Sequence, residues 1–157
     1  MTTTEILLAL FIINLGMVFG AGLYETRIVL PLWFSRTADG KYKVNFDNMR
    51  AIDTGRKFWG FVSTGPLTLL TIANLVFAIG SEPPVYTWWL GAALLVFLER
   101  LGTFMFFIPT AIKLQKAEAL PAHKVSVMVT NWLRLNYLRN AITIIALLMA
   151  VKALLLL

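Results

Sequence analysis

Four apolar stretches, each about as long as a bilayer is thick, constrain this chain more than any other feature. They run from Ile6 to about Tyr24, from Phe58 to Gly80, from Val85 to about Ile112, and from about Arg139 to Leu157. A hydrocarbon core about 30 Å thick takes roughly 20 apolar residues of helix, so each stretch can cross. Only 14% of the 157 residues are charged and 59% are hydrophobic. A water-facing exterior usually needs about a quarter charged, so lipid must be the solvent for much of the surface. The expected fold class is all-α integral membrane: a four-helix transmembrane bundle, one domain over residues 1–157, with the lipid bilayer as its first partner. Nothing basic precedes the first span and no clear small-residue cleavage motif follows it, so it reads as a retained span and not a signal peptide.

The connections carry their own signals. Ser81-Glu82-Pro83-Pro84 forces a tight turn between spans two and three. The loop at about 25–57 contains Asp39-Gly40 followed by alternating Tyr42, Val44 and Phe46, the pattern of a short hairpin. Asp47 or Asn48 would then cap a short helix through Met49 and Ile52. In the second long loop, about 113–138, Leu120-Pro121 marks a helix start. An amphipathic lead-in through Val125, Met128 and Trp132 continues from it into span four.

Charge placement orients the bundle. Arg27, Arg36, Lys41, Lys43, Arg50, Arg56 and Lys57 lie in the first loop; Lys113, Lys116, Lys124, Arg134 and Arg139 lie in the second or its lead-in. The turn at 81–84 and the segment before span one hold none, and Lys152 is the one exception near the far end. Both loops are therefore expected in the cytoplasm, with the N- and C-termini outside. Topology and anionic lipid account for the net charge of +6, and no nucleic-acid partner is implied. The tryptophans fit as interfacial anchors, Trp33, Trp59 and Trp132 inside and Trp88 and Trp89 outside. There is no cysteine and a single histidine, His123, in a charged loop. Thiolate chemistry, disulfides and bis-histidine haem are excluded, and the expectation is no metal and no cofactor.

Polar residues inside the spans are the candidate site, because an intramembrane charge is costly unless paired or hydrated. At 1.5 Å per residue, Glu99 lies about 21 Å into span three. Glu25 closes span one and Arg139 opens span four, so all three belong to the cytoplasmic leaflet. Residues 11 apart return to one helix face. Asn14 aligns with Glu25, Ser63 with Asn74, and Trp88 with Glu99 and Thr103. Trp132, Asn136, Asn140 and Thr143 form a stripe edged by Arg139. Glu99 and Arg100 project about 100° apart, which favours partners on other helices: Arg139 for Glu99, and Glu25 for Arg100. Gly16-x-x-x-Gly20 with Ala21-Gly22 suggests close helix contact. Pro66 and Pro109 should kink their spans and free backbone carbonyls.

Two stretches carry a resemblance. The run Phe107-Ile108-Pro109-Thr110-Ala111-Ile112-Lys113-Leu114 is similar to a P-x-N-x-x-L ending of a third span. Trp132-x-x-Leu135-Asn136-x-x-Arg139 is similar to a W-x-x-L-H-x-x-R opening of a fourth. In this order on four spans, they resemble the anthrone oxygenase-like membrane proteins. Ala111 stands at the Asn position and Asn136 at the His position. The resemblance implies oxidation of a hydrophobic phenolic molecule without a cofactor, with Glu99, Asn136 and Arg139 as catalytic candidates. Glu25, Arg100, Thr103, Trp132 and Asn140 would contact the ligand. A desolvated Glu99 would be the base, with the arginine and amide stabilising an enolate.

The expected function is a small membrane protein with a polar pocket in the cytoplasmic leaflet, binding or oxidising a phenolic or quinol-type molecule. The alternative is a non-enzymatic accessory or structural subunit held by buried ion pairs. A transport pathway would require a homo-oligomer. The positive loops point to a bacterial inner membrane.

Overall fold

The computed structural model describes residues 2–157. Four helices are long and apolar enough to cross a membrane: α1 (Thr3–Trp33), α3 (Gly55–Ile79), α4 (Val85–Leu114) and α5 (Ala122–Leu154). Between α1 and α3 stand strands β1 (Phe34–Arg36) and β2 (Tyr42–Val44) and the short helix α2 (Phe46–Ile52). The hairpin is antiparallel, pairs Ser35 with Lys43, and turns at Gly40, whose φ of +79° suits glycine. Asn45 caps α2 by accepting from the Asn48 amide at 3.0 Å, two positions before Asp47 and three before Asn48, the residues the sequence suggested. The side chain one residue before the helix is the one able to reach that amide.

In the bundle, α1 packs on α3 and α5, and α4 packs on α3 and α5. The four helices thus close into a ring in which sequence neighbours touch. The outward faces carry Phe61 (82% exposed), Met105 (79%) and Leu69 (70%). Contiguous apolar exposure of this kind suits lipid and not water.

The helices run further than the apolar stretches alone indicate. α1 continues to Trp33, and α5 starts at Ala122, merging the amphipathic lead-in with the span. At 33 residues α5 is about 50 Å long, well beyond a hydrocarbon core of about 30 Å. Its first turns, with the hairpin and α2, therefore build a cap at one end.

Two apolar cores result. One joins Leu8, Phe11, Leu15, Leu67, Trp89, Val96, Ala146 and Ala150. The other lies at the cap end and joins Leu30, Trp33, Phe34, Val44, Met49, Phe107, Leu114, Val129 and Trp132. Along α1, α4 and α5 alike, buried polar side chains lie between the two sets: Glu25 in α1, Glu99, Arg100 and Thr103 in α4, and Asn136, Asn140 and Thr143 in α5. The tryptophans depart from the interfacial expectation, since Trp33, Trp89 and Trp132 are buried among protein side chains and only Trp88 has substantial exposure.

Three helices widen into π-helical turns immediately before a proline. Glu25–Val29 precedes Pro31, Gly55–Thr64 precedes Pro66, and Thr103–Phe107 precedes Pro109. Proline offers no N–H to the preceding turn and its ring crowds the carbonyl four residues back. At Pro66 that carbonyl belongs to Val62, and Asn14 Nδ2 donates to it at 3.1 Å.

The glycine motif of α1 packs differently from expectation. Open space lies where a Cβ would stand on Gly16 or Gly20, whereas one on Gly22 would overlap Asn140 Oδ1. The close contact belongs to Gly22 alone, because α5 meets the face of α1 that carries Gly22 and Glu25.

Candidate functional site

The polar layer is assembled from the three widened turns and the stripe on α5. Glu25, in the π turn of α1, is its centre. Its Oε1 accepts from Trp59 Nε1 at 2.8 Å, near the start of α3, and from Thr54 Oγ1 at 2.9 Å, on the residue just before that helix. Its Oε2 accepts from Arg139 Nη2 at 3.2 Å. The same Nη2 donates to Asn136 Oδ1 at 2.6 Å. Asn136 Nδ2 donates to Thr26 Oγ1 at 2.7 Å, which also takes Asn140 Nδ2 at 3.1 Å. Thr26 Oγ1 in turn donates to the Gly22 carbonyl at 2.7 Å. The guanidinium of Arg139 sits against two rings, with Cζ 4.4 Å from the centre of Phe107 and 5.3 Å from that of Trp59. These cation–π contacts suit a charge withdrawn from water.

A second cluster lies one turn further along α3. Arg100 Nε donates to Glu99 Oε2 at 2.6 Å, and Arg100 Nη1 donates to Ser63 Oγ and, at 3.3 Å, to the Ser63 carbonyl. Thr103 Oγ1 donates to Glu99 Oε1 at 3.0 Å. Glu99 therefore pairs with its own neighbour Arg100, and Arg139 pairs with Glu25, the reverse of the pairing expected from helical projection. The projection argument fixes Cα directions only. Both side chains are long, both are buried, and with no water available the nearest opposite charge takes precedence over the angle between them.

All eight residues selected from the sequence are buried or nearly so, and the structure divides them into two networks. Glu25, Asn136, Arg139 and Asn140 share one; Glu99, Arg100 and Thr103 share the other. Trp132 stands apart from both, its ring edge-on to Phe107 at 5.2 Å. Sequence reasoning missed Thr26, Thr54, Trp59 and Phe107. Trp59 was readable, since it lies four residues before Ser63 and so on the same helix face; Thr54 was not, because a loop places it.

The layer has surplus donors. Nη2 is the only nitrogen of Arg139 that the described residues engage. Trp132 Nε1 and Trp33 Nε1, both in the cap-end core, are buried without an acceptor. Buried polar groups are nearly always bonded, so a ligand bearing acceptor oxygens would complete this arrangement. The carboxylates, in contrast, are both occupied. Two cavities lie elsewhere. One of about 370 Å³ in the cap is lined by Ser35, Lys43, Asp47 and Glu118, and one of about 670 Å³ lies at the opposite end of the bundle. Among the described residues no group of three histidine, aspartate or glutamate side chains gathers to hold a metal.

The cap has its own electrostatics. Thr37 Oγ1 donates to Asp39 at 2.5 Å and Lys41 stands 2.9 Å away, which lowers the Asp39 carboxyl to about 2. Arg50 bonds Glu118 at 2.9 Å, and that bond raises its pKa.

No family model, no curated protein and no solved structure matches this chain.

Proposed function

We propose that this chain is an integral membrane protein, with its cap in the cytoplasm of a bacterial cell and both termini outside the inner membrane. Its polar layer binds a hydrophobic phenolic or quinol-type molecule that enters from the cytoplasmic leaflet. The observation that supports this reading is the excess of donors beside Phe107. Arg139 lies over that ring with only its Nη2 engaged among the described residues, and Trp132, edge-on to the same ring, has an Nε1 without an acceptor. An aromatic molecule with an oxygen acceptor would stack and accept at once.

Binding is favoured over oxidation. Removing a proton from an activated carbon needs a free base. Glu25 has three donors on its oxygens and Glu99 has an arginine and a threonine. Asn136, which replaces the histidine of the anthrone oxygenase-like pattern, has no basic nitrogen. Either carboxylate would have to leave its arginine before accepting a proton.

Native mass spectrometry of gently extracted protein, followed by thermal-shift screening of quinols and polyphenols, tests the reading. A stabilising compound is expected, and it should lose its effect in Arg139→Ala and in Trp132→Phe, which removes the N–H and keeps a ring. The saturated carboxylates and the remote cavities favour a second reading, an accessory or structural subunit whose ion pairs only staple the bundle. That reading prevails if no such compound shifts the wild-type protein.

A further inference from the structure

The cavity of about 670 Å³ lies at the end of the bundle away from the cap, where α3 meets α4 and the ends of α1 and α5 approach. Its walls are mainly apolar, including Val76, Phe77, Val85 and Leu156, and its lining includes the fully buried Trp89. The polar groups on it are unevenly matched. Trp89 Nε1 is already donated to Asn74 Oδ1 at 2.9 Å, and Ser81 Oγ to the Ala78 carbonyl at 2.7 Å. Pro83 and Pro84 have no N–H to give. Among the described residues no lysine, arginine or histidine lines the cavity, while the exposed carboxylate of Glu82 does, and no hydrogen bond or ion pair from those residues engages that carboxylate. The lining therefore presents the Glu82 carboxylate beside an apolar hollow, with the Trp89 and Ser81 donors already committed and the neutral Thr4 hydroxyl as the remaining side-chain donor.

The geometry points to a binding site for an amphiphilic ammonium: a protonated amine held at Glu82, its apolar body seated among Val76, Phe77, Val85 and Leu156. Charge makes the assignment selective. Twelve of the fourteen basic residues lie at or beside the cap end and Lys152 lies at the other, so a cation approaching the Glu82 end meets far less repulsion than it would at the cap. An anionic amphiphile would bring its charge against the carboxylate. A neutral alcohol of the same length would fill the hollow and leave Glu82 unmatched. This site is independent of the polar layer. The ammonium could be that of a free amine or of an ethanolamine headgroup in the surrounding lipid.

The chain has no cysteine, so Thr87→Cys on the exposed side of α4 accepts one environment-sensitive fluorophore close to the cavity. The labelled protein is placed in nanodiscs of digalactosyl diacylglycerol, whose headgroup carries neither charge nor nitrogen, and titrated with dodecylamine. A saturable change in emission is expected, with affinity about tenfold weaker in Glu82→Gln; dodecanol should bind the wild type about tenfold more weakly than dodecylamine, and dodecyl sulfate more weakly still. Because Glu82 is exposed and its side chain bonds nothing, that variant should fold as the parent does. Replacing part of the lipid with phosphatidylethanolamine separates the sources. A rise in the apparent Kd of dodecylamine identifies the headgroup as a ligand, and an unchanged Kd identifies a free amine. Equal binding of dodecylamine to wild type and Glu82→Gln, or dodecanol binding as tightly as dodecylamine, overturns the proposal.

Discussion

Arg139 touches residues from all four long helices or their flanks: Glu25 from α1, Trp59 from α3, Phe107 from α4, and Asn136 one turn back on α5. Removing one member of a buried pair leaves the other charge without compensation, at a cost of about 3–5 kcal/mol. Glu25→Gln and Arg139→Gln should each lower the melting temperature in detergent, and the double variant should lose clearly less than their sum. The cycle on Glu99 and Arg139 should be nearly additive, since the two belong to different networks. Additivity in the first cycle, or strong coupling in the second, would contradict the observed pairing. Which residues are buried and polar was legible in the sequence. Glu25, Glu99, Arg100, Asn136 and Arg139 were all found by asking what a lipid-facing helix would not carry. Which of them pair was not legible, because helical projection resolves faces and depth but not the reach of a four-bond side chain. Trp132 was half legible. Its place on the stripe was read correctly, but its indole lies in a protein core where an interfacial anchor was expected.

The widened turns explain why the polar layer falls where it does. Each precedes a proline, and each brings residues of the layer or its rim: Glu25 in α1, Trp59 and Ser63 in α3, Thr103 and Phe107 in α4. Such turns recur at functional sites, and here three stand at the level of one arginine. The repair at Pro66 can be tested directly. Asn14 serves the Val62 carbonyl that residue 66 leaves free. Asn14→Leu should therefore destabilise the protein by about 1–3 kcal/mol, the cost of an unsatisfied buried group. In a Pro66→Ala background the amide at position 66 can serve that carbonyl, and the same substitution should cost appreciably less. An equal loss in both backgrounds, read from unfolding in mixed micelles, would show that Asn14 acts through something else. Pro66 and Pro109, expected to kink their spans, stand just after two of the widened turns, and the Asp39-Gly40 turn announced its hairpin. The continuation of α1 through Pro31 to Trp33 did not show. Glu25-Thr26-Arg27 after Tyr24 looks like the start of a loop until Glu25 and Thr26 are seen to find partners inside the bundle.

At the scale of the whole molecule, the two ends differ in shape and in charge, and the difference sets the orientation we propose. One end is a folded cap of hairpin, α2 and the first turns of α5, set among cations that include Arg36, Lys43, Lys57, Lys116 and Lys124. The other consists of the Ser81–Pro84 turn, the start of α1 and the end of α5, with Glu82 and Glu5 as its acids and Lys152 as the basic residue there among residues 2–157. Lysine and arginine in short loops are retained on the cytoplasmic side during insertion, whereas acidic residues contribute little. The cap should therefore lie inside. Once inside, each cation near the anionic leaflet adds about 1 kcal/mol of attraction, which holds the cap against the surface. Single cysteines read this out in a chain that has none of its own. In intact cells Thr3→Cys and Ser81→Cys should react with an impermeant maleimide, while Lys43→Cys should react only after the membrane is broken. Labelling of Lys43→Cys alone in intact cells would invert the orientation. It would also put the Glu82 cavity in the cytoplasm, and the donors of Arg139 and Trp132 would then face the outer leaflet.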